Sequence, residues 1–286
     1  MKQYFKSVIA TVAFLFASGV QAQNQSSLLW EISGNGLEHP SFLFGTIHLI
    51  CEEDYIMSEV IENKIKEAQA FYAELDFSNM SEIMYMQQSM MVDTPLSQRL
   101  PKEKYDRLAS LLQENMNLDI QTFENLSEAA IASSITIQSF ACEKHKMYEM
   151  ELLQMALRDQ KKLGGLESVK EQMELLNGNF EIDVLIDMLE EYKKDGPEFT
   201  KKMIKLYRSQ NIEELLSLMN QTSYMTDQAF NEMLVKRNHN WVEKMPTIMK
   251  NHSTFFAVGA AHLGGKQGVI QLLRENGFTV TPIHFQ

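Results

Sequence analysis

The chain has 286 residues, 44% hydrophobic and 22% charged, which is a globular composition and not that of a disordered or fibrous protein. Its 38 acidic and 26 basic residues leave a formal charge of −12, so a broad nucleic-acid-binding surface is excluded, although a small basic site is not. Two cysteines, Cys51 and Cys142, are too few for a disulfide scaffold or a four-thiolate zinc site.

The chain opens with the grammar of a secretory signal. Lys2 and Lys6 precede an apolar stretch from Val8 to Val20, and Val20-Gln21-Ala22 offers small residues for cleavage. The apolar run is shorter than the ~20 residues that cross a bilayer, which argues against a membrane anchor. Residues 1–22 are therefore read as a removable signal peptide, and 23–286 as a single exported domain, periplasmic or secreted. Losing two lysines and no acid takes the charge from −12 to −14. No later segment is apolar enough to span a membrane after that removal. Export permits a Cys51–Cys142 disulfide but does not require it, since two free thiols satisfy the sequence equally well. Oligomeric state is not legible.

Ser27–Ser33 and Ser41–Leu49 are rich in branched and aromatic residues and flank Gly34-Asn35-Gly36, which predicts two strands joined by a loop. Met57–Ala68 places Val60, Ile61, Ile65 and Ala68 at helical spacing, and a third strand follows over Gln69–Leu75. From Ser81 to Lys250 the chain reads as a helical insertion. Ser127 and Ser168 (with Gln172) mark helix starts, Gly196-Pro197 marks a break, and Lys162–Leu166 is a possible short strand. Sheet grammar returns with strands at Ser253–Val258 and Phe278–Ile283, separated by a helix over Gly268–Asn276 that Gly277 caps. The fold class expected is α/β, a mixed central sheet built from the N- and C-terminal segments around a long helical insertion, about 81–250.

One local pattern occurs twice. Gly45-Thr46-Ile47-His48 and Gly259-Ala260-Ala261-His262 each stand where a predicted strand runs out. Strand ends of α/β sheets gather ligands, and imidazole is both a common metal ligand and a general acid–base. Glu74 lies at the end of an apolar strand, where a carboxylate is costly unless it is paired or binds a metal. Glu167, after Gly164-Gly165-Leu166, is a further candidate, with a helix N-terminal acid as its bland alternative.

These residues carry a resemblance. Leu28-Leu29-Trp30-Glu31, Pro40 to His48, and Phe256 to Leu263 resemble the opening and closing motifs of the TraB/GumN family, which is related to the Tiki metalloproteases. Glu74, Gly165-Leu166-Glu167, Glu171-Gln172 and Lys236-Arg237-Asn238 resemble that family's intervening segments. Leu263-Gly264-Gly265 replaces its usual Leu-Pro-Gly. In Tyr148-Glu149-Met150-Glu151, only Glu151 is read as keeping the family's acid. The resemblance implies a metal-dependent hydrolase, plausibly a peptidase, with a peptide or protein substrate. His48, Glu74 and His262 would hold one divalent ion, and mixed imidazole–carboxylate ligation suits zinc, manganese or cobalt. Glu167 would act as general base or a further ligand. Arg237 would stabilise an oxyanion, hold a substrate carboxylate, or simply form a salt bridge, and Asn238 would orient its neighbours.

Two other readings remain. One is a non-catalytic protein of the same fold that binds peptide, haem or metal. The other is copper handling through Met80, Met84, Met86, Met90 and Met91, against which Met80, Met84 and Met91 sharing one helical face reads as flexible core packing. His39 is assigned to a turn and His145 to a solvated helix face. His239 and His252 lack ligand spacing to His262, and His284 is set aside as lying near the terminus. Trp241 is read as a cleft or helix anchor, and Gly264-Gly265-Lys266 lacks P-loop spacing.

Overall fold

The computed structural model describes residues 26–285 except Tyr224. The predicted signal peptide, 1–22, lies outside the described residues. Among the described residues eight strands occur in chain order: β1 Leu29–Gly34, β2 Ser41–Thr46, β3 Ile50–Cys51, β4 Ala70–Ala73, β5 His145–Lys146, β6 Lys162–Gly165, β7 Thr254–Gly259 and β8 Phe278–Ile283. Six of them form one mixed sheet in the order β6-β4-β7-β2-β1-β8. The run β6, β4, β7, β2 is parallel, while β1 joins β2 and β8 antiparallel. The fold class is the one expected, with β6 as an edge strand contributed by the middle of the chain.

The parallel strands are short and almost wholly apolar, as burial on both faces demands. Every residue of β2 is buried, and in β7 all but Gly259 are. Helices cover the sheet: Tyr148 of helix Tyr148–Arg158 sets its ring 5.9 Å from Phe44, and Trp241, Val242, Met245 and Met249 of helix Arg237–Asn251 enter the same core.

The helical insertion builds a second core from Leu108, Leu111, Leu112, Ile131, Ile135, Leu185 and Leu189. The break expected at Gly196-Pro197 does not occur. One helix, Ile182–Arg208, runs through it. A proline inside a helix costs about 3 kcal/mol, and tertiary packing outweighs it. Leu185 and Leu189 are buried in the second core, while Leu206 and Tyr207 are buried in the first. Gly196 is buried against the Tyr192 ring, where a Cβ would collide.

Other local readings are also adjusted. Ser168 caps its helix, but its capping-box partner is Glu171 rather than Gln172. His145 lies in β5 instead of a helix, opposite Cys51. The methionine reading inverts: Met80, Met84 and Met91 are exposed, and Met86 and Met90 do the packing, beside Leu75, Ala129, Val169 and Met173. Helix Met80–Ser89 buries no residue fully, so a shared face did not mean a core face. Among the described residues no helix is long and apolar enough to cross a membrane.

Cys51 and Cys142 form a disulfide with their Cα atoms 5.9 Å apart, 91 positions apart in sequence. It lies beside the β3–β5 pairing and ties the segment following His48 to the helical insertion. Closing a loop of that length restricts the unfolded chain by about 4–5 kcal/mol in the chain-entropy limit. Chemical denaturation with and without dithiothreitol tests this: the reduced protein should lose about 2–5 kcal/mol of stability, and equal midpoints would refute it.

Candidate functional site

Parallel pairing of β2 with β7 puts Gly45 opposite Val258 and Thr46 opposite Gly259. The two Gly-x-x-His motifs therefore leave the sheet side by side at one edge. They also interlock. A Cβ on Gly45 would lie 2.6 Å from Leu263 Cδ1 and 3.1 Å from the Ala260 Cα, so only glycine allows the second motif this close to the first. Tyr207 Oη donates to the Gly45 carbonyl at 3.1 Å. Since β4 and β6 run parallel to β7, Glu74 and Glu167 emerge at the same edge.

The side chains of Glu74, Glu167, His262 and Asn238 are all nearly inaccessible to solvent; Arg237 bonds the first three, and Asn238 joins them through His262. The Arg237 guanidinium donates from Nε and Nη2 to Glu167 (2.6–3.2 Å) and from Nη2 to Glu74 Oε2 (2.6 Å). Its Nη1 donates to the Met233 carbonyl and to His262 Nε2, both at 3.1 Å. Its donors are thus directed at protein acceptors, the salt-bridge alternative among the roles considered from sequence. The guanidinium also stacks over Trp241, 4.7 Å from the ring centroid. A π-helical turn, Asn231–Lys236, leads directly into it, an irregularity frequent at functional sites.

Glu167 additionally accepts from Trp241 Nε1 (3.2 Å) and Gln172 Nε2 (3.0 Å). Trp241 is buried beneath the site and anchors it there. Glu74 Oε1 accepts from the Gly259 N–H at 2.8 Å and lies 3.8 Å from His262 Nε2. Burial alone would raise the Glu74 pKa, but Arg237, the two histidines and the Gly259 amide outweigh it and hold the carboxyl well below its usual range. Burial, reinforced by Arg237, pushes His262 down to about 3, so it is neutral at neutral pH. Its Nδ1 donates to Asn238 Oδ1 at 2.6 Å, which leaves the Nε2 lone pair towards Arg237 and Glu74. Asn238 is itself held by donating to the Gln267 carbonyl at 2.8 Å.

His48 is different, with a side chain 66% exposed. Its Nδ1 is 2.9 Å from Glu149 Oε1, and that carboxylate draws its pKa up to about 9. Glu149 is the residue that sequence reading passed over. Glu151, the acid chosen there, pairs with Lys146 away from the histidines. A buried helix-face position was the available signal: Glu149 falls between Tyr148 and Leu152 in the apolar rhythm of its helix.

His48, Glu74 and His262 do converge. A Cβ placed on Gly259 would stand 3.3 Å from Glu74 Oε1, 3.5 Å from His262 Cδ2 and 3.9 Å from His48 Nε2. Three buried carboxylates, Glu74, Glu149 and Glu167, against one guanidinium leave a formal charge of −2 when the imidazoles are neutral. Donor types and charge therefore fit a divalent cation. The donors do not stand as a ready-made cage: among the described residues, no group of three His, Cys, Asp or Glu side chains is arranged to hold a metal ion.

The model of the TraB/PrgY/gumN family matches residues 28–282. A Nematostella vectensis protein named Metalloprotease TIKI homolog is 22% identical over 90% of this chain and 67% of its own length. Metalloprotease TIKI2 of Xenopus tropicalis is 24% identical over 90% of the chain and 60% of its own length. Metalloprotease TIKI1 of Danio rerio is 25% identical over 89% and 63%. The chain thus spans 60–67% of the length of these relatives. No solved structure matches it. With both histidine motifs and the acids between them inside the matched span, the chain belongs to the TraB/PrgY/gumN family.

Proposed function

We propose that this chain is an exported metal-dependent hydrolase that cleaves peptide or protein substrates. The observation that carries the reading is the convergence of His48 Nε2, Glu74 Oε1 and the His262 ring around Gly259, in a setting whose formal charge is −2 once both imidazoles are neutral, as ligation requires. The names of the metalloprotease relatives support the same class. Export is supported by the basic–apolar–small order of residues 1–22 and by the Cys51–Cys142 disulfide, which suits an oxidising compartment.

We assign His48, Glu74 and His262 as the ligands of one divalent ion: zinc, manganese or cobalt. When bound, such an ion supplies Lewis-acid polarisation of a scissile carbonyl and of water. The protein's own part is orientation. Asn238 keeps the proton of His262 on Nδ1, so that Nε2 carries the lone pair; that nitrogen accepts from Arg237 Nη1 here, a donor that would give way to a bound ion. The Gly259 amide and Arg237 keep Glu74 charged, which favours a ligand over a proton acceptor. Glu167 was expected to be a base or a further ligand. Its bidentate grip by Arg237 and its bond from Trp241 suit it better to holding Arg237 in place. Arg237 pairs with two of the three buried acids, Glu74 and Glu167, though its single charge offsets only one of them, and it marks the inner wall of the site.

His48→Ala and His262→Ala should each abolish peptide cleavage supported by Zn2+, Mn2+ or Co2+ while the thermal transition persists. A digest of a peptide library by wild type and both variants, with metal content measured, checks this. Full activity in both variants would sink the assignment, and stoichiometric binding without turnover in every metal would favour a binding protein. Removing Arg237 as Arg237→Ala leaves Glu74 and Glu167 buried without a counter-charge, so it should destabilise the fold by about 3–5 kcal/mol in urea titrations. A loss below about 1 kcal/mol would fit a solvated surface pair instead.

A further inference from the structure

The acids at the strand ends differ in what neutralises them. Glu74 and Glu167 share Arg237. Glu149, whose side chain is 6% exposed, has no lysine or arginine within ion-pair distance among the described residues. Its Oε1 accepts from Thr46 Oγ1 at 2.7 Å and is bonded to His48 Nδ1 at 2.9 Å. A buried carboxylate costs several kcal/mol unless something charged or strongly hydrogen-bonded compensates it. Here that compensation comes from one threonine and one histidine.

The backbone that presents Glu149 is rigid. Its neighbour Tyr148 is fully buried, packs its ring at tilted or edge-on angles against Phe44, Tyr55 and Tyr207, and its Oη both donates to the Ile56 carbonyl and accepts from the Ile56 N–H. Thr46 is equally fixed, as the last residue of β2 and the register partner of Gly259. The carboxylate is therefore held between the sheet end and the helix, and His48 is the solvent-exposed partner, on the loop after β2.

We propose that Glu149, supported by Thr46, is the positioning residue of His48: it engages Nδ1 and turns Nε2 towards Glu74 and His262. A carboxylate behind a ligating imidazole fixes ring orientation and raises ligand basicity, and its loss typically costs 10–100-fold in metal affinity. That consequence rests on the ligand assignment for His48 made above. The hydrogen-bond geometry does not.

The experiment uses the chain without added metal and then with Zn2+ alone. In the metal-free protein, NMR of the histidine ring N–H protons should show a protected Nδ1–H resonance, assigned to His48 by its loss in His48→Gln and absent in Glu149→Ala. Titration calorimetry should then show Zn2+ binding weakened about 10–100-fold in Glu149→Gln, less in Thr46→Val, and partly restored in Glu149→Asp relative to Glu149→Ala. A thermal transition unchanged in Glu149→Gln separates positioning from a structural role. If wild type binds no Zn2+ but loses the Nδ1–H signal on Glu149→Ala, the positioning stands and the metal-dependent reading falls. Wild-type Zn2+ affinity in Glu149→Gln, or a His48 ring proton indifferent to residue 149, would overturn the proposal. Should Glu149→Ala fail to fold, Glu149→Gln gives both readouts.

Discussion

The guanidinium of Arg237 is the interaction on which the site depends. It joins the ends of β4 and β6, through Glu74 and Glu167, to the second histidine motif through His262. Neither carboxylate would be tolerable where it lies without it, because burial penalises each charge by several kcal/mol. The π-helical turn before it and the Trp241 ring beside it fix its position. The inner wall of the site is thus a buried network bonded through one guanidinium, whereas His48 faces solvent and Glu149 reaches it from a different helix.

Backbone pairing supplies the other constraint. Two motifs more than 200 residues apart meet because β2 and β7 are parallel neighbours in a register that aligns Thr46 with Gly259. A one-residue slip would send the aligned side chains to opposite faces. Glycine serves two distinct purposes in these motifs. At Gly45 it lets the second motif pack against the first, and at Gly259 it leaves room between His48, Glu74 and His262 while the amide donates to Glu74.

The helical insertion contributes more than bulk. Its second core and the through-running helix Ile182–Arg208 connect to the sheet by way of Tyr207, which donates to the Gly45 carbonyl. The disulfide adds a covalent tie on the other side of the first motif, just after His48. The loop that carries the most exposed site residue is therefore restrained at both ends.

Much of this was legible in the chain alone. Residue chemistry and period identified the sheet-forming ends, the helical middle, both Gly-x-x-His motifs, Glu74 and Glu167, because buried strands and strand-end glycines leave local signatures, whereas Arg237 and Asn238 were marked only by the family resemblance. Four things were decided only by tertiary structure. Whether Gly196-Pro197 breaks a helix depends on what packs against either half, which no local rule contains. Which of Glu149 and Glu151 faces the site depends on the angle at which their helix docks on β2, and which methionines are buried depends on docking in the same way. The partners of Arg237 were undetermined for the same reason: sequence names a cation and its candidate acids, but only folding sets the distances and the loss of water that make them one unit.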